Sequence, residues 1–332
     1  MSTPGGERQI IARIRQQTVG APADLVIGIG DDCAVYRLDG QRVSLVTTDA
    51  MVEGVHFDTS WHPPHLLGRK TASVNLSDIA AMGGQPRFAL LTLAMPKTTS
   101  AEWLDAFMDG FLEVLSEQGA VLIGGDTVSS EQELVLSVTV MGEAKAARVL
   151  TRKGARPGDV VMVGGPLGES AAGLALCRLG YGQEAQWAPL VAAHLDPSPQ
   201  VALGLMLADS GVVHAMMDLS DGLATDLAHI CAESGVGAEV DGVAVPLSPL
   251  LRQAAEVCGG SALEWALSGG EDYQLLLTVA EQDVDLLRGL ARKRAGQSLH
   301  SVGRIVRGAG VVLLARDGSR REISYRGYEH FR

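Results

Sequence analysis

The sequence contains few of the residues on which several common protein classes depend. Its four cysteines are far apart and form no CxxC pair, which argues against a structural zinc site and against a disulfide framework. Its 27 lysines and arginines are outnumbered by 39 aspartates and glutamates, so the formal net charge is −12. Non-specific binding to nucleic acid or to an anionic membrane needs basic surface. The sequence therefore predicts neither kind of partner.

Long apolar segments are also missing. No hydrophobic run approaches the roughly 20 residues of a membrane-spanning helix. The segment from Met1 to Ile11 is polar, contains Glu7 and Arg8, and lacks the apolar region of a secretory signal. Together with the unpaired cysteines, these features lead us to expect a reduced, cytoplasmic protein.

The usual sequence motifs for binding phosphate are absent as well. None of the five lysines follows a glycine, which excludes the GxxxxGK[ST] loop. The segment 28–33 lacks the third glycine of the dinucleotide fingerprint, and the VAIK and HRD segments of protein kinases do not occur. Any bound nucleotide must therefore be held in another way.

The chain does contain enough apolar sequence for a large core. It has 332 residues, 46% of them hydrophobic, and this length favours two domains over one. Because the stretch 144–157 is polar and basic, we predict domains at 1–147 and 148–332. The main predicted helices are 6–19, 65–82, 101–118 and 169–179, and the main predicted strands are 25–29, 43–48, 87–95, 121–123, 133–141, 160–163, 214–217 and 273–279. Interspersed strands and helices indicate an α/β or α+β architecture.

Aspartates follow several apolar or glycine-rich runs. Six occupy such positions, namely Asp31, Asp32, Asp49, Asp126, Asp218 and Asp221, and Asp78 lies one predicted helical turn from Asn75. Any one of them alone is more often a turn or N-cap residue. Two carboxylates 4 Å apart repel by about 4 kcal/mol at an effective dielectric constant of 20, so a fold that gathers several requires a cation. Mg²⁺ bridges carboxylates to phosphate oxygens, which predicts a magnesium site that binds a nucleoside triphosphate.

Other candidate residues have weaker signals. Arg152 lies in the predicted linker, where it either clamps a phosphate or is a solvated charge. The glycine-rich segment 164–168 either receives phosphate at a helix N-terminus or is a plain turn. His56 suits substrate contact and loop packing equally well. Glu271 follows two glycines in an apolar context, which favours ligand recognition over a surface position.

Seven short regions, in this order along the chain, carry a family resemblance. They are GIGDDCA at 28–34, TTD at 47–49 with EGVHF at 53–57, VNLSDIAAMG at 74–83, GGDT at 124–127, DLSDGL at 218–223, SGGEDY at 268–273 and GYEHF at 327–331. Together they resemble the thiamine-monophosphate kinase family. The resemblance implies transfer of phosphate from ATP to thiamine monophosphate, giving thiamine diphosphate and ADP as the last step of thiamine diphosphate biosynthesis. It also implies kinship with aminoimidazole-ribonucleotide synthetase.

The resemblance further implies an architecture and a set of site residues. An N-terminal α/β domain would dimerise through a mixed sheet, a C-terminal α+β domain would complete the site, and ATP would lie in the cleft between them. The implied Mg²⁺ ligands are Asp32, Thr47, Thr48, Asp49, Asp78, Asp126, Asp218 and Asp221. The implied nucleotide contacts are Gly125, Asp126, Arg152 and Ser220, and the implied thiamine-phosphate contacts are His56, Glu271 and Tyr328. Asp49, Asp126 and Arg152 are the expected catalytic residues.

The expected chemistry needs metals rather than a general base. The attacking phosphate oxygen is already anionic, so the main obstacle is repulsion between the acceptor phosphate and the triphosphate. We expect several Mg²⁺ ions and Arg152 to neutralise that charge, with direct in-line transfer and no phosphoenzyme. A requirement for K⁺, and the roles of Glu131 and Gln274, stay open. Selenophosphate synthesis is disfavoured because no cysteine precedes Cys33, whereas a non-catalytic nucleotide sensor remains the alternative from another class.

Overall fold

The computed structural model describes residues 6–18, 20–328 and 330. Glu329 and Phe331 of the terminal GYEHF segment lie outside the described residues. Within the part of the chain that is described, no helix is both long enough and apolar enough to cross a membrane. The chain forms two mixed sheets, one from each half, with helices packed against them.

The N-terminal half is built on a six-stranded sheet. Its strands are Leu25–Ile27 (β1), Ala34–Arg37 (β2), Arg42–Val52 (β3), Gln85–Pro96 (β4), Val121–Ser130 (β5) and Val135–Lys145 (β6). Their spatial order is β1-β2-β3-β6-β4-β5. Strands β4 and β5 run parallel, and the other neighbouring strands run antiparallel. Helix α1 (Glu7–Gln17) precedes the sheet, whereas α2 (Pro64–Ala81) and α3 (Ala101–Glu117) follow β3 and β4.

Helices α2 and α3 approach each other closely because of two glycines. A Cβ atom at Gly68 would lie 2.0 Å from the carbonyl oxygen of Phe107, and one at Gly110 would lie 1.9 Å from that of His65. Neither position therefore admits a side chain without separating the helices. Phe107 and Phe111, one turn apart on α3, are fully buried in the core beneath this crossing. The crossing fixes α2, most of which is buried, above the sheet.

The C-terminal half contains a seven-stranded sheet in the order β13-β12-β9-β11-β7-β10-β8. Its strands are Val160–Val163 (β7), Val213–Asp218 (β8), Gly237–Asp241 (β9), Leu275–Val279 (β10), His300–Val306 (β11), Gly310–Leu314 (β12) and Arg320–Glu322 (β13). The helices are Glu169–Arg178 (α4), Ala188–Leu195 (α5), Val201–Ser210 (α6), Leu223–Ser234 (α7), Pro249–Cys258 (α8), Ala262–Ser268 (α9) and Val284–Leu290 (α10). Strand β10, which lies between β7 and β8, is entirely buried, as its apolar sequence predicts.

The two halves meet along α2. A Cβ atom at Gly204 of α6 would lie 2.1 Å from the carbonyl oxygen of Ala80, and one at Gly83 would lie 2.4 Å from the Cβ atom of Ala208. The carboxyl end of α2 is therefore in direct backbone contact with the C-terminal half. This contact brings Asp78, near the end of α2, to the end of β8, where Ser77 Oγ donates to Asp218 Oδ2 at 2.5 Å.

The observed elements confirm the predicted fold class and the two long helices, and they correct several strand ends, two of which carry predicted site residues. We predicted that β3 ends at Thr48 and that β5 ends at Ile123, but they extend to Val52 and Ser130. Asp49 and Asp126 consequently lie inside strands instead of in the turns that follow them. The reason is ladder pairing, because β3 pairs with β6 and β5 pairs with β4 along the whole added length. Such pairing outweighs the low strand propensity of glycine and aspartate.

Candidate active site

Three aspartates that are remote in sequence converge at the junction of the two halves. Asp32 precedes β2, Asp78 belongs to α2, and Asp218 ends β8. One carboxylate oxygen from each lies within 4.8 Å of the other two. Asp32 and Asp218 are buried. The structure thus gathers, inside one protein chain, acids contributed by both halves.

The surrounding protein groups do not neutralise all of the negative charge of this cluster, which favours a bound cation. Burial, followed by the charges of Asp49 and Asp218, raises the pKa of Asp78 well above its usual value. Burial and then Asp32 raise the pKa of Asp218 to about 7. Asp32 Oδ2 is buried and has no hydrogen-bond partner among the described residues. Oxygen donors held close together, one of them unpaired, are what a hard divalent ion such as Mg²⁺ requires, so the residues present fit that ion.

Strand β3 contributes its residues to two different faces of the sheet. Thr47 donates a hydrogen bond from its hydroxyl to the Asp78 carboxylate, and the Asp49 N–H donates to Asn75 Oδ1 at 2.9 Å. Successive side chains on a strand point to opposite faces, so Thr48 lies on the other face. Its hydroxyl donates to the carbonyl oxygen of Val138 at 3.0 Å. Thr47 therefore lies at the acidic cluster, whereas Thr48 is directed away from it.

Gly125 and Asp126 lie at the far edge of the same sheet. Asp126 on β5 pairs with Thr92 on β4, Thr92 pairs with Ser137 on β6, and Ser137 pairs with Ala50 on β3. Three strand spacings separate Asp126 from β3, which is roughly 14 Å at about 4.8 Å per strand. Asp126 is exposed on this edge. Within one copy of the chain, the structure does not bring Asp126 to the other predicted Mg²⁺ ligands.

The turn after β8 carries Ser220 and Asp221, and a buried acid holds it in place. Asp226 Oδ2 accepts hydrogen bonds from the N–H groups of Asp221 at 3.2 Å and Gly222 at 3.1 Å. Gly222 has φ of 103°, a left-handed conformation that favours glycine. Burial, followed by the charge of Glu7, raises the pKa of Asp221 to about 6. Asp226 was not among the predicted site residues, although an acid in the first turn of a helix signals N-terminal capping.

Arg152 reaches the cluster from the connection between the halves. Its Nε and Nη2 atoms donate to Asp32 Oδ1 at 3.1 and 2.5 Å. Burial lowers the pKa of the Arg152 guanidinium, but the charge and hydrogen bonds of Asp32 outweigh this effect. The pKa of Arg152 is therefore raised above its usual value. Arg152 also lines a cavity of about 190 Å³, together with Ser220, Asp221, Asp226, Thr225, Met217, His229, Tyr325, Tyr328 and three residues of α1. The arginine is therefore a fixed, permanent cation between the acidic cluster and this cavity.

A larger groove of about 510 Å³ lies elsewhere, on the C-terminal sheet. Four of its lining charges form ion pairs, Arg304 with Glu281 and Arg288 with Asp285. No residue that the sequence analysis proposed lines this groove. The smaller cavity, which lies beside the acidic cluster, is the better candidate for the nucleotide.

The three predicted substrate residues lie around one region near the chain terminus. His56 Nδ1 accepts a hydrogen bond from the Val52 N–H at 3.0 Å, and its ring lies 5.2 Å from that of His330. Tyr328, which is 49% exposed, contacts the His330 ring edge-on at 4.9 Å. Burial and then His330 lower the pKa of His56, whereas the nearby charge of Glu271 opposes this shift. The rings of His56, Tyr328 and His330 thus form an aromatic surface near the Glu271 carboxylate.

Two further residues contact Glu271, and neither was among the predicted site residues. Lys70 Nζ lies 3.0 Å from Glu271 Oε2, and His194 Nδ1 lies 3.2 Å from the same oxygen. Lys70 is fully buried. A lysine inside the apolar stretch of α2 was the available signal, because buried lysines are rare unless they are paired.

Comparisons with known proteins agree with this geometry. The N-terminal and C-terminal domain models of AIR synthase related protein match residues 30–144 and 156–315. Thiamine-monophosphate kinase of Salmonella typhimurium is 38% identical over 328 residues, 98% of each chain, and that of Bacillus subtilis is 35% identical over 314 residues, 92% of this chain and 94% of the other.

Solved structures give the same assignment. AaThiL complexed with AMPPCP and TMP superposes with a TM-score of 0.84 at 33% identity, covering 98% of this chain and 97% of that one. Thiamine-monophosphate kinase from Stenotrophomonas maltophilia K279a superposes with a TM-score of 0.77 at 38% identity, covering 93% and 96%. With this identity over nearly its full length, the chain belongs to the thiamine-monophosphate kinase family.

Proposed function

We propose that the protein transfers the γ-phosphoryl group of ATP to thiamine monophosphate, giving thiamine diphosphate and ADP, with Mg²⁺ bound by the acidic cluster. The observation that carries this proposal is the convergence of Asp32, Asp78 and Asp218 from both halves beside Arg152. Relatives named thiamine-monophosphate kinase, and a neighbour complexed with AMPPCP and TMP, support the choice of substrates.

The protein's own part in this reaction is to neutralise and align two anions. Neither phosphate needs a base, because the acceptor oxygen is ionised near neutral pH. Arg152, held by Asp32, lies beside the cavity where it can donate to phosphate oxygens in a fixed orientation. Mg²⁺, when bound by Asp32, Asp78 and Asp218, would supply positive charge to the phosphate oxygens. Transfer is then direct, and no side chain carries the phosphoryl group.

The substrate residues suit the thiamine end of the acceptor. Thiamine contains a cationic, aromatic thiazolium ring, which a carboxylate attracts and an aromatic ring stacks against. Glu271 provides the charge, and Tyr328 and His56 provide aromatic surface on the same side of the molecule. These contacts would place the acceptor phosphate toward the acidic cluster.

The direct test supplies the wild-type protein with ATP, Mg²⁺ and thiamine monophosphate. We expect one thiamine diphosphate per ADP, label from [γ-³²P]ATP in the product, and none retained on denatured protein. Thiamine, which lacks the acceptor phosphate, is the control substrate and should give no product. ADP release without thiamine diphosphate would leave an ATPase, and ATP binding without turnover would favour the nucleotide sensor. Parallel assays in KCl and NaCl test the K⁺ requirement.

We also infer that the protein acts as a homodimer through the β5 edge. Among the described residues no strand pairs with the outer side of β5, which exposes Val121, Ile123 and Val128. Exposed apolar edge strands readily pair with another chain. Asp126 lies on the same strand, far from the acids of its own copy. We infer that the β5 strand of each copy packs beside the acidic cluster of the other copy, so that each Asp126 completes the site of its partner.

Mixing two inactive variants tests this inference. Asp126→Asn and Asp78→Asn should each be inactive alone, but their mixed dimer holds one intact site. After exchange of subunits, activity should return to about a quarter of the wild-type value, because half of the dimers are mixed and each has one good site. Asp78→Asn mixed with Asp218→Asn is the matched control and should stay inactive. Mixed dimers that form without recovered activity would contradict the inference.

A further inference from the structure

Lys70 is a fully buried cation with a single carboxylate partner among the described ion pairs. It lies on α2, and its Nζ atom donates to Glu271 Oε2 at 3.0 Å. The two residues are 201 positions apart in sequence, and they join the helix of one half to the segment before β10 of the other. Burying an ammonium group is strongly unfavourable unless it is paired, so this contact needs an explanation beyond packing.

His194 on α5 makes the second contact with the same carboxylate oxygen. Its Nδ1 atom lies 3.2 Å from Glu271 Oε2 and 3.2 Å from Ser170 Oγ. Burial and then Lys70 lower the pKa of His194, so the ring is neutral. A carboxylate only accepts hydrogen bonds, and Nδ1 therefore carries the proton that is donated to Glu271. The Trp61 ring, 5.8 Å from that of His194, closes this side of the cluster.

The backbone of Glu271 is also fixed. Its φ is 67°, an uncommon conformation for a residue with a side chain, and its N–H donates to the Ser220 carbonyl oxygen at 2.8 Å. Both contacts from Lys70 and His194 reach Oε2, and no hydrogen bond to Oε1 occurs among the described residues. The Glu271 side chain remains 24% exposed. The carboxylate is thus fastened through one oxygen and open on its other side.

We propose that Lys70 and His194 are positioning residues that hold Glu271 as a fixed anion for the thiazolium ring, and so determine the affinity for thiamine monophosphate. This inference rests on the proposed function, because it assumes that Glu271 contacts that substrate. Burial opposes the charge of Glu271, but Lys70 and then His194 lower its pKa to about 2. The carboxylate is therefore ionised at every pH at which the protein is assayed.

The other titratable groups near Glu271 do not replace Lys70. His56 has a lowered pKa because of burial and His330, so it is neutral at neutral pH. Tyr273 has a pKa raised well above its usual value by burial and by Glu271 itself. Neither adds positive charge beside the carboxylate. Removing the Lys70 charge should consequently leave Glu271 with only the neutral His194 donor and make its carboxylate easier to protonate.

The test compares Lys70→Met, Lys70→Arg and Lys70→Met/Glu271→Gln with the wild type. In Lys70→Met we expect the KM for thiamine monophosphate to rise about 10- to 50-fold, with the KM for ATP unchanged and kcat within about threefold. Lys70→Arg should restore part of the affinity, since it keeps the charge. His194→Phe should raise the same KM by a smaller factor, because it removes a neutral donor.

The pH profile separates positioning from a merely structural role. Relative to the wild type, kcat/KM of Lys70→Met for thiamine monophosphate should fall as the pH drops from 8 to 5, because Glu271 then gains a proton and loses its attraction for the ring. The wild type should not show this decrease in kcat/KM caused by Glu271, since the pKa of its Glu271 is about 2. The double variant should bind thiamine monophosphate weakly but should not show this decrease in kcat/KM at low pH, because glutamine does not titrate.

Each outcome decides the inference. If Lys70→Met folds poorly, the double variant should recover the fold, since it removes both members of the buried pair. It should then match Glu271→Gln in its KM for thiamine monophosphate. An unchanged KM and an unchanged pH profile in Lys70→Met overturn the positioning role while wild-type turnover stands. Absence of wild-type turnover with thiamine monophosphate would instead reject the proposed function, and this inference with it.

Discussion

Asparagine in place of Asp78 is expected to reduce kcat by about a thousandfold, or roughly 4 kcal/mol of transition-state stabilisation. Asp78 is one of three carboxylates whose oxygens lie within 4.8 Å, and a neutral amide is a far weaker ligand for Mg²⁺. Raising the Mg²⁺ concentration should recover part of the lost activity, because the variant binds the ion more weakly. Steady-state kinetics over a Mg²⁺ titration measure both effects.

The same substitution is expected to stabilise the metal-free protein. The pKa of Asp78 is raised in the folded state, so the folded protein binds more protons than the unfolded chain, and stability falls as the pH rises above about 4. Asp78→Asn lacks this penalty. In EDTA its melting temperature should exceed that of the wild type at pH 8, and the difference should shrink as the pH approaches 4. Scanning calorimetry across that range measures it.

An exposed aspartate of the same half supplies the control. Asp105→Asn on α3 should alter neither kcat nor the melting temperature, because Asp105 lies on the surface. Normal turnover in Asp78→Asn at low Mg²⁺ would show that Asp78 holds no ion needed for the reaction. Lower stability of Asp78→Asn in EDTA at pH 8 would contradict the repulsion on which the metal assignment depends.

Arg152→Met is expected to lower kcat about a hundredfold and to destabilise the fold by about 3 kcal/mol. The loss of activity follows from losing a fixed cation beside the cavity that we propose for the nucleotide. The loss of stability follows because the Asp32 side chain, which is fully buried, keeps its charge without its partner. Arg152→Lys should retain an intermediate kcat, since lysine keeps the charge but not the forked geometry.

A second substitution separates the two effects of Arg152→Met. Adding Asp32→Asn removes the unpaired charge, so the double variant should regain most of the stability while it stays inactive. Chemical denaturation in EDTA and turnover assays together distinguish these outcomes. Arg148→Met, an exposed arginine four residues earlier, is the control and should change neither quantity. Full activity in Arg152→Met would remove Arg152 from the site.

The two long helices and several candidate site residues follow from local patterns in the sequence, whereas the distances between those residues do not. Asp32, Thr47, Asp78 and Asp218 do lie together. Thr48 faces the other side of the sheet, because neighbours on a strand alternate. Asp126 lies three strands from β3, since β6 and β4 come between. Both results depend on register and strand order, which the local pattern of a segment does not contain.

Lys70 and Asp226 were not predicted as site residues for the same reason. Lys70 is a base on α2 and Asp226 is an acid on α7. The sequences around them resemble those of many ordinary helices. Their partners lie on other elements or in a turn that only the fold defines. Long-range electrostatic partners must therefore be read from coordinates.

By itself, the order of motifs along the chain determined the family, the reaction and the types of side chain that the reaction requires. The tertiary structure decided which of those side chains share one site, which oxygen of Glu271 is occupied, and which predicted ligand, Asp126, lies apart from the others. The physical reason is that chemical identity is a property of each residue, whereas separation in space is set by how α2 packs between two sheets.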